Sequence, residues 1–122
     1  MSEKLKVLIV DDSTMIIKTI QKYLSKYDLG PVVTANNGQE ALEVFKTQLP
    51  DIVTLDITMP KMDGLTVLEK MIELDSNVNI ILITALNDPI TKINAIKMGA
   101  KAYLDKPFTE QKFDDVMKEF LL

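Results

Sequence analysis

A chain of 122 residues with 47% apolar and 26% charged residues has the proportions of one globular domain, able to bury roughly two thirds of its unfolded surface. It contains no Cys and no His, which excludes disulfides, thiol nucleophiles, imidazole bases and Ser-His-Asp triads, and leaves oxygen-held hard cations as the metals to expect. A net charge of −4 and a pI near 4.8 argue against nucleic acid or an anionic membrane surface as partners.

The elements follow in a regular order. Lys4 to Val10 reads as a buried strand stopped by Asp11-Asp12, and Ser13 to about Tyr27 carries Ile16, Ile17, Ile20, Tyr23 and Leu24 at a helical period. Gly30-Pro31 separates that helix from a short strand, Val32 to Ala35. Asn36-Asn37-Gly38 then turns into a helix with Ala41, Leu42 and Phe45 on one face, closed by Pro50. Ile52 to Leu55 is a third strand ending in Asp56; Asp63-Gly64 reads as a turn before a helix with Leu65, Leu68, Met71 and Ile72. Asn79 to Ile83 is a fully apolar fourth strand. Asp88-Pro89 marks the start of a helix running to Gly99. Ala100 to Leu104 is the fifth strand, and Thr109 opens a last helix with Phe113, Val116, Met117 and Phe120.

Five strand–helix units with short connections predict an α/β fold, a (βα)₅ doubly wound parallel sheet with helices on both faces. No apolar run approaches the ~20 residues of a membrane span. Met1-Ser2-Glu3-Lys4 is followed by no leader-like apolar segment, and the absence of Cys fits the expected cytoplasmic location.

The polar residues gather at the carboxyl ends of these strands: Asp11-Asp12 after the first, Asp56 after the third, Thr84 after the fourth, and Tyr103 to Lys106-Pro107 at the fifth. In open α/β sheets a ligand site lies outside those ends, where the strand order reverses. Were the first and third strands neighbours, three carboxylates would share one crevice with Lys106 beside them. Three like charges at that range require a proton or a cation, and Mg²⁺ suits carboxylates, water and phosphate oxygens. Asp56 is then placed to attack phosphorus and form an acyl phosphate, with Lys106 supplying fixed positive charge and Thr84 a hydroxyl. Taken singly, each of these residues has an ordinary reading as a cap, a turn or a solvated side chain; their joint placement at successive strand ends does not.

Val10-Asp11-Asp12-Ser13, Asp56 to Gly64 (DITMPKMDG), Ile83-Thr84-Ala85 and Gly99 to Phe108 (GAKAYLDKPF) together resemble the receiver domain of two-component response regulators, in its single-domain chemotaxis-regulator form. The resemblance covers residues 1–122 as one receiver (response regulatory) domain with no output domain. It implies a flavodoxin-like fold with strand order 2-1-3-4-5. It also implies that Asp56 is the phosphoacceptor, that Asp12 ligates Mg²⁺ directly and Asp11 mostly through water, and that the backbone carbonyl of Thr58 completes a metal site also holding Asp56, with Mn²⁺ as a substitute ion. Thr84 matches the switch hydroxyl, Tyr103 the switch aromatic and Lys106 the phosphate-pairing lysine, with a cis Lys106-Pro107 bond. Thr58 and Leu86 occupy variable positions that tune phosphoryl lifetime; the Thr58 side chain is expected to matter little for the metal.

The function so implied is a phosphorylation-activated signalling switch rather than an enzyme acting on an outside substrate. With no His of its own, the chain requires a sensor histidine kinase or histidine phosphotransfer protein as donor, and Met15, Ile16 and Ile17 offer surplus apolar surface for docking it. Phosphorylation is expected to draw Thr84 inward and turn Tyr103 after it. The face built from the fourth helix, fifth strand and fifth helix would then change toward a downstream protein, in chemotaxis or flagellar motor control. The alternative is a phosphorelay intermediate passing phosphate to another histidine protein. A monomer is expected. A haloacid-dehalogenase-type phosphohydrolase, the rival aspartate-nucleophile class, needs a second Asp where Thr58 stands. A flavodoxin would have its phosphate repelled by Asp11-Asp12.

Overall fold

The computed structural model describes residues 4–59, 63–85 and 88–121. Its elements are β1 (Val7–Val10), α1 (Thr14–Leu24), β2 (Val32–Ala35), α2 (Gly38–Gln48), β3 (Ile52–Leu55), α3 (Gly64–Leu74), β4 (Asn79–Thr84), α4 (Pro89–Met98), β5 (Ala102–Asp105) and α5 (Glu110–Leu121). All strand pairs are parallel, in the order β2-β1-β3-β4-β5. The flavodoxin-like order implied by the resemblance is thus the order found.

Side chains alternate across a strand, so each one feeds two cores. Leu8, Val10, Val53, Leu55, Ile80 and Leu82 pack with Phe45 of α2 and Leu68 and Met71 of α3. Val7, Ile9, Ile52, Ile81 and Ile83 pack on the other face with Ile20 of α1 and Phe113 and Met117 of α5. Every position of β1 and β3 is buried, and burial on both faces is why all of them except Thr54 are apolar. Phe45 and Phe113 are each fully buried, a contribution of about 1.5–3 kcal/mol apiece.

The helix ends differ from the sequence reading in two places. α1 stops at Leu24 although apolar periodicity continues to Tyr27. The Ser25 amide and hydroxyl both donate to the Lys22 carbonyl (3.2 and 2.6 Å), and Tyr27 N–H turns back to Leu24 (3.0 Å). Tyr27 instead reaches α5, donating its hydroxyl to Asp114 at 2.9 Å beside the Lys26–Asp114 and Lys26–Glu110 ion pairs. Asp63-Gly64 is not a free-standing turn. Asp63 caps α3 by accepting from Leu65 N–H (3.3 Å), and Gly64 is its first residue. A Cβ on Gly64 would lie 2.2 Å from Ile57 Cα, so only glycine lets α3 begin so close to the end of β3. Smaller differences are that Leu49, in the left-handed region at φ 48°, ends α2 just before Pro50, and that Thr84 belongs to β4 and Asp105 to β5. The cis Lys106-Pro107 bond is present. Among the described residues no helix is long and apolar enough to cross a membrane.

Candidate functional site

Adjacency of β1 and β3, in register at Val10 and Leu55, sets Asp11 and Asp56 side by side one residue later. The ladder continues that far: Asp56 N–H donates to the Val10 carbonyl at 3.0 Å and Asp11 N–H to Ala35 at 3.1 Å. Both carboxylates are almost wholly buried, at 1% and 2% exposure, whereas Asp12 faces solvent. Lys106, delivered by the end of β5, donates to Asp11 Oδ2 at 2.7 Å and to Asp56 Oδ2 at 3.1 Å.

The remaining oxygens are also engaged. Asp11 Oδ1 accepts from Ser13 N–H at 2.9 Å. Asp56 Oδ1 accepts from Thr58 twice, from its N–H at 2.9 Å and from its hydroxyl at 2.7 Å. The resemblance gives Thr58 a bearing on phosphoryl lifetime and little on the metal, but no hydrogen bond from its hydroxyl to the Asp56 carboxylate. The Asp-x-Thr spacing, in which a hydroxyl two residues on folds back onto a carboxylate, is the signal that could have found it.

Burial raises the Asp11 carboxyl above its ordinary range, only partly opposed by its bonds to Lys106 and Ser13, and the nearby Asp56 charge adds to the rise. For Lys106, burial alone would lower the ammonium. The hydrogen bond to Asp11 and the charges of Asp56 and Asp11 outweigh it, and its value is raised. The ammonium is therefore a fixed charge at neutral pH.

Asp11, Asp12 and Asp56 each offer one carboxylate oxygen, all within 4.8 Å of one another. An octahedral Mg²⁺ with 2.0–2.1 Å bonds sets its ligand oxygens roughly 3–4 Å apart, and an oxygen-only donor set is what it selects. The residues present fit that ion. Two buried carboxylates against one ammonium also leave negative charge for a cation to neutralise.

Thr84 is fully buried at the end of β4; its carbonyl accepts from Lys106 N–H at 3.0 Å, and it lies opposite Asp105 in the ladder. Tyr103 is not part of the cluster. It is 48% exposed, with Lys92 Nζ 4.6 Å from its ring centroid. Met15 is 76% exposed, but Ile16 and Ile17 are partly buried against the α1/α5 core, so only Met15 is surplus. Leu86 and the Pro60-Lys61-Met62 part of the long motif lie outside the described residues.

The response regulator receiver domain family model matches residues 7–118. The chemotaxis protein CheY of Bacillus subtilis (strain 168) is 41% identical over 103 residues, covering 84% of this chain and 86% of that protein. A probable transcriptional regulator, ycf27, of Guillardia theta is 45% identical over 111 residues, 91% of this chain; the chain spans only 43% of the length of that protein. Among solved structures, the CheX-CheY-BeF3-Mg complex from Borrelia burgdorferi superposes with a TM-score of 0.89 at 38% identity, over 97% of this chain and 90% of that one. A CheY-like receiver domain protein from Methanospirillum hungatei JF-1 gives a TM-score of 0.90 at 28% identity, over 98% and 94%. With the family model spanning nearly all of it, the chain belongs to the response regulator receiver domains of two-component systems and is CheY-like.

Proposed function

We propose that this chain is a phosphorylation-driven signalling switch with Asp56 as phosphoacceptor. The observation that carries the reading is the buried Asp56 carboxylate at the end of β3, 3.1 Å from Lys106 and within 4.8 Å of Asp11 and Asp12 oxygens. An Asp56 oxygen attacks the phosphorus of a phosphohistidine on a sensor kinase or phosphotransfer protein. The P–N bond breaks with its electron pair going to the imidazole, leaving an acyl phosphate. Lys106 compensates the charge on the incoming phosphoryl oxygens, while Thr58 holds the Asp56 carboxylate in place. Mg²⁺ held by Asp11, Asp12, Asp56 and the Thr58 carbonyl would neutralise the carboxylates and the transferring group. The chain catalyses nothing beyond its own phosphorylation and dephosphorylation.

The added group brings about −1.5 to −2 charge and three strong acceptors. Thr84 moves to bond one of them, Tyr103 turns inward, and the α4-β5-α5 face changes for a downstream protein. Moving a two-state equilibrium from 1:99 to 99:1 takes about 5.5 kcal/mol, within reach of a buried charged pair with Lys106 plus a hydroxyl bond. Exposed Met15, near the start of α1, is assigned to donor docking. The 41% identity to a chemotaxis CheY favours a chemotaxis output by a monomeric, cytoplasmic protein. Relay of the phosphoryl group to a second histidine protein is the other reading.

Transfer from a phosphorylated histidine kinase tests the site: wild type should take the label, Asp56→Asn should not, and labelling of the variant would overturn the assignment. Capture of motor-switch components only in the presence of a phosphate mimic would support the chemotaxis output. Onward transfer of label to a histidine protein would replace it with the relay.

A further inference from the structure

Lys92 of α4 is engaged twice against β5. Its ammonium pairs with Asp105 and lies 4.6 Å from the Tyr103 ring centroid, and the lysine side chain is only 13% exposed. Tyr103 and Asp105 are two residues apart on a strand and so share one face, which is how one side chain from α4 reaches both. The same two elements bound a groove of about 560 Å³ whose lining includes Ile93, Ile96, Lys92 and Tyr103. In the present arrangement the tyrosine ring forms one wall of that groove.

Asp105 also stands between two residues of the carboxylate site. It is the ladder partner of Thr84 on β4, and it immediately precedes Lys106, which pairs with Asp56. A displacement of the β5 end toward a new charge on Asp56 is therefore felt at Asp105, and through it at the ammonium over the tyrosine ring.

We propose that Lys92, held by Asp105 and resting over Tyr103, is a latch that keeps the aromatic outward and the α4–β5 groove in its unphosphorylated shape. Phosphorylation opens the groove by loosening this latch. The proposal rests on the reading that Tyr103 turns inward when Asp56 is phosphorylated. A cation–π contact and a part-exposed ion pair are each modest. Removing the charge should therefore shift the outward-to-inward ratio by roughly three- to tenfold without committing the whole population. By reciprocity, the phosphoryl group and the inward tyrosine favour one another to the same extent.

The chain has three tyrosines and no tryptophan, so fluorotyrosine labelling gives three fluorine resonances, with Tyr103 assigned by Tyr103→Phe. Wild type, Lys92→Met, Asp105→Asn and the double variant are compared before and after an acyl phosphate donor with Mg²⁺. The Tyr23 and Tyr27 signals serve as a check on folding. Before phosphorylation, the Tyr103 signal in Lys92→Met should move part-way to the position it takes in phosphorylated wild type. Asp105→Asn should move it the same way, and the double variant no further than Lys92→Met. Phosphorylation of Lys92→Met should also be favoured by the same three- to tenfold. Tyr103 signals unmoved in both single variants, while phosphorylation still moves wild type, would overturn the latch and leave the switch reading standing. A shift to a position off the line between the two wild-type states would overturn it equally. If phosphorylation moved Tyr103 in no variant, the inward-turning reading itself would fall, and the latch with it.

Discussion

Lys106 lies closer to Asp11 than to Asp56, 2.7 against 3.1 Å. The residue assigned to an incoming phosphoryl group is thus held first by a carboxylate that is not the acceptor. One ammonium serves two buried acids, and opposite consequences follow for its removal and for removal of Asp11.

Lys106→Met leaves Asp11 and Asp56 buried without a counter-charge. Stranding buried charges in this way is costly, and partial access of water to the lysine tip moderates it. We expect a loss of roughly 2–4 kcal/mol in urea unfolding, with part of it recovered in millimolar Mg²⁺. A variant as stable as wild type in the absence of Mg²⁺ would contradict the charge balance drawn here.

Asp11→Asn should do the reverse to stability. Burial raises the Asp11 carboxyl, so its favourable contribution is fully present only below its ordinary unfolded value and is lost as pH rises through the raised folded value. Near neutrality the ionised group is a net cost. The amide keeps the acceptor for Ser13 N–H without that charge, so the variant should be more stable than wild type near neutrality. The gain should shrink as pH falls through the folded value of Asp11. Mg²⁺ affinity should drop at the same time, by tenfold or more. Thermal midpoints across pH and a Mg²⁺ titration check both halves.

Gly64→Ala places a Cβ 2.2 Å from Ile57 Cα, a clash with backbone that no rotamer relieves. Overpacking of this kind costs typically 1–3 kcal/mol, occasionally more. Because Ile57 lies between Asp56 and Thr58, the rate of phosphorylation by an acyl phosphate should fall as well. Unchanged rate and stability would mean that α3 shifts away from β3 without strain.

Thr54 carries the one buried side-chain polar atom without a hydrogen-bond partner found among the described residues. It stands two residues before Asp56 on β3. Thr54→Val keeps the shape and removes an unsatisfied hydroxyl, which should stabilise the fold by about 1 kcal/mol and leave phosphorylation of Asp56 unaltered. Destabilisation would show that the hydroxyl has a partner in solution.

Much of this arrangement is legible in the sequence because apolar strands end abruptly in Asp11, Asp56 and Thr84, and a parallel sheet places those ends along one edge. Which edges are adjacent is not legible from periodicity: the 2-1-3-4-5 order came from motif resemblance. Gly64 is ambiguous for a different reason. Asp-Gly is as good a turn signal as it is a helix start, and only the proximity of Ile57 decides. The Thr58 hydroxyl has water as an alternative partner in any sequence reading, and the folded loop selects Asp56. Lys92 gives no sequence signal at all, since its two partners lie on another element and its role depends on how α4 sits against β5.

Asp56 alone should receive the phosphoryl group, in a site that requires a divalent cation. Intact mass of the protein after incubation with a small acyl phosphate and Mg²⁺ tests it most directly. Wild type should gain one phosphoryl adduct, lost when Mg²⁺ is chelated beforehand and absent from Asp56→Asn. An adduct that persists on Asp56→Asn, or that forms equally well without a divalent ion, would contradict that assignment.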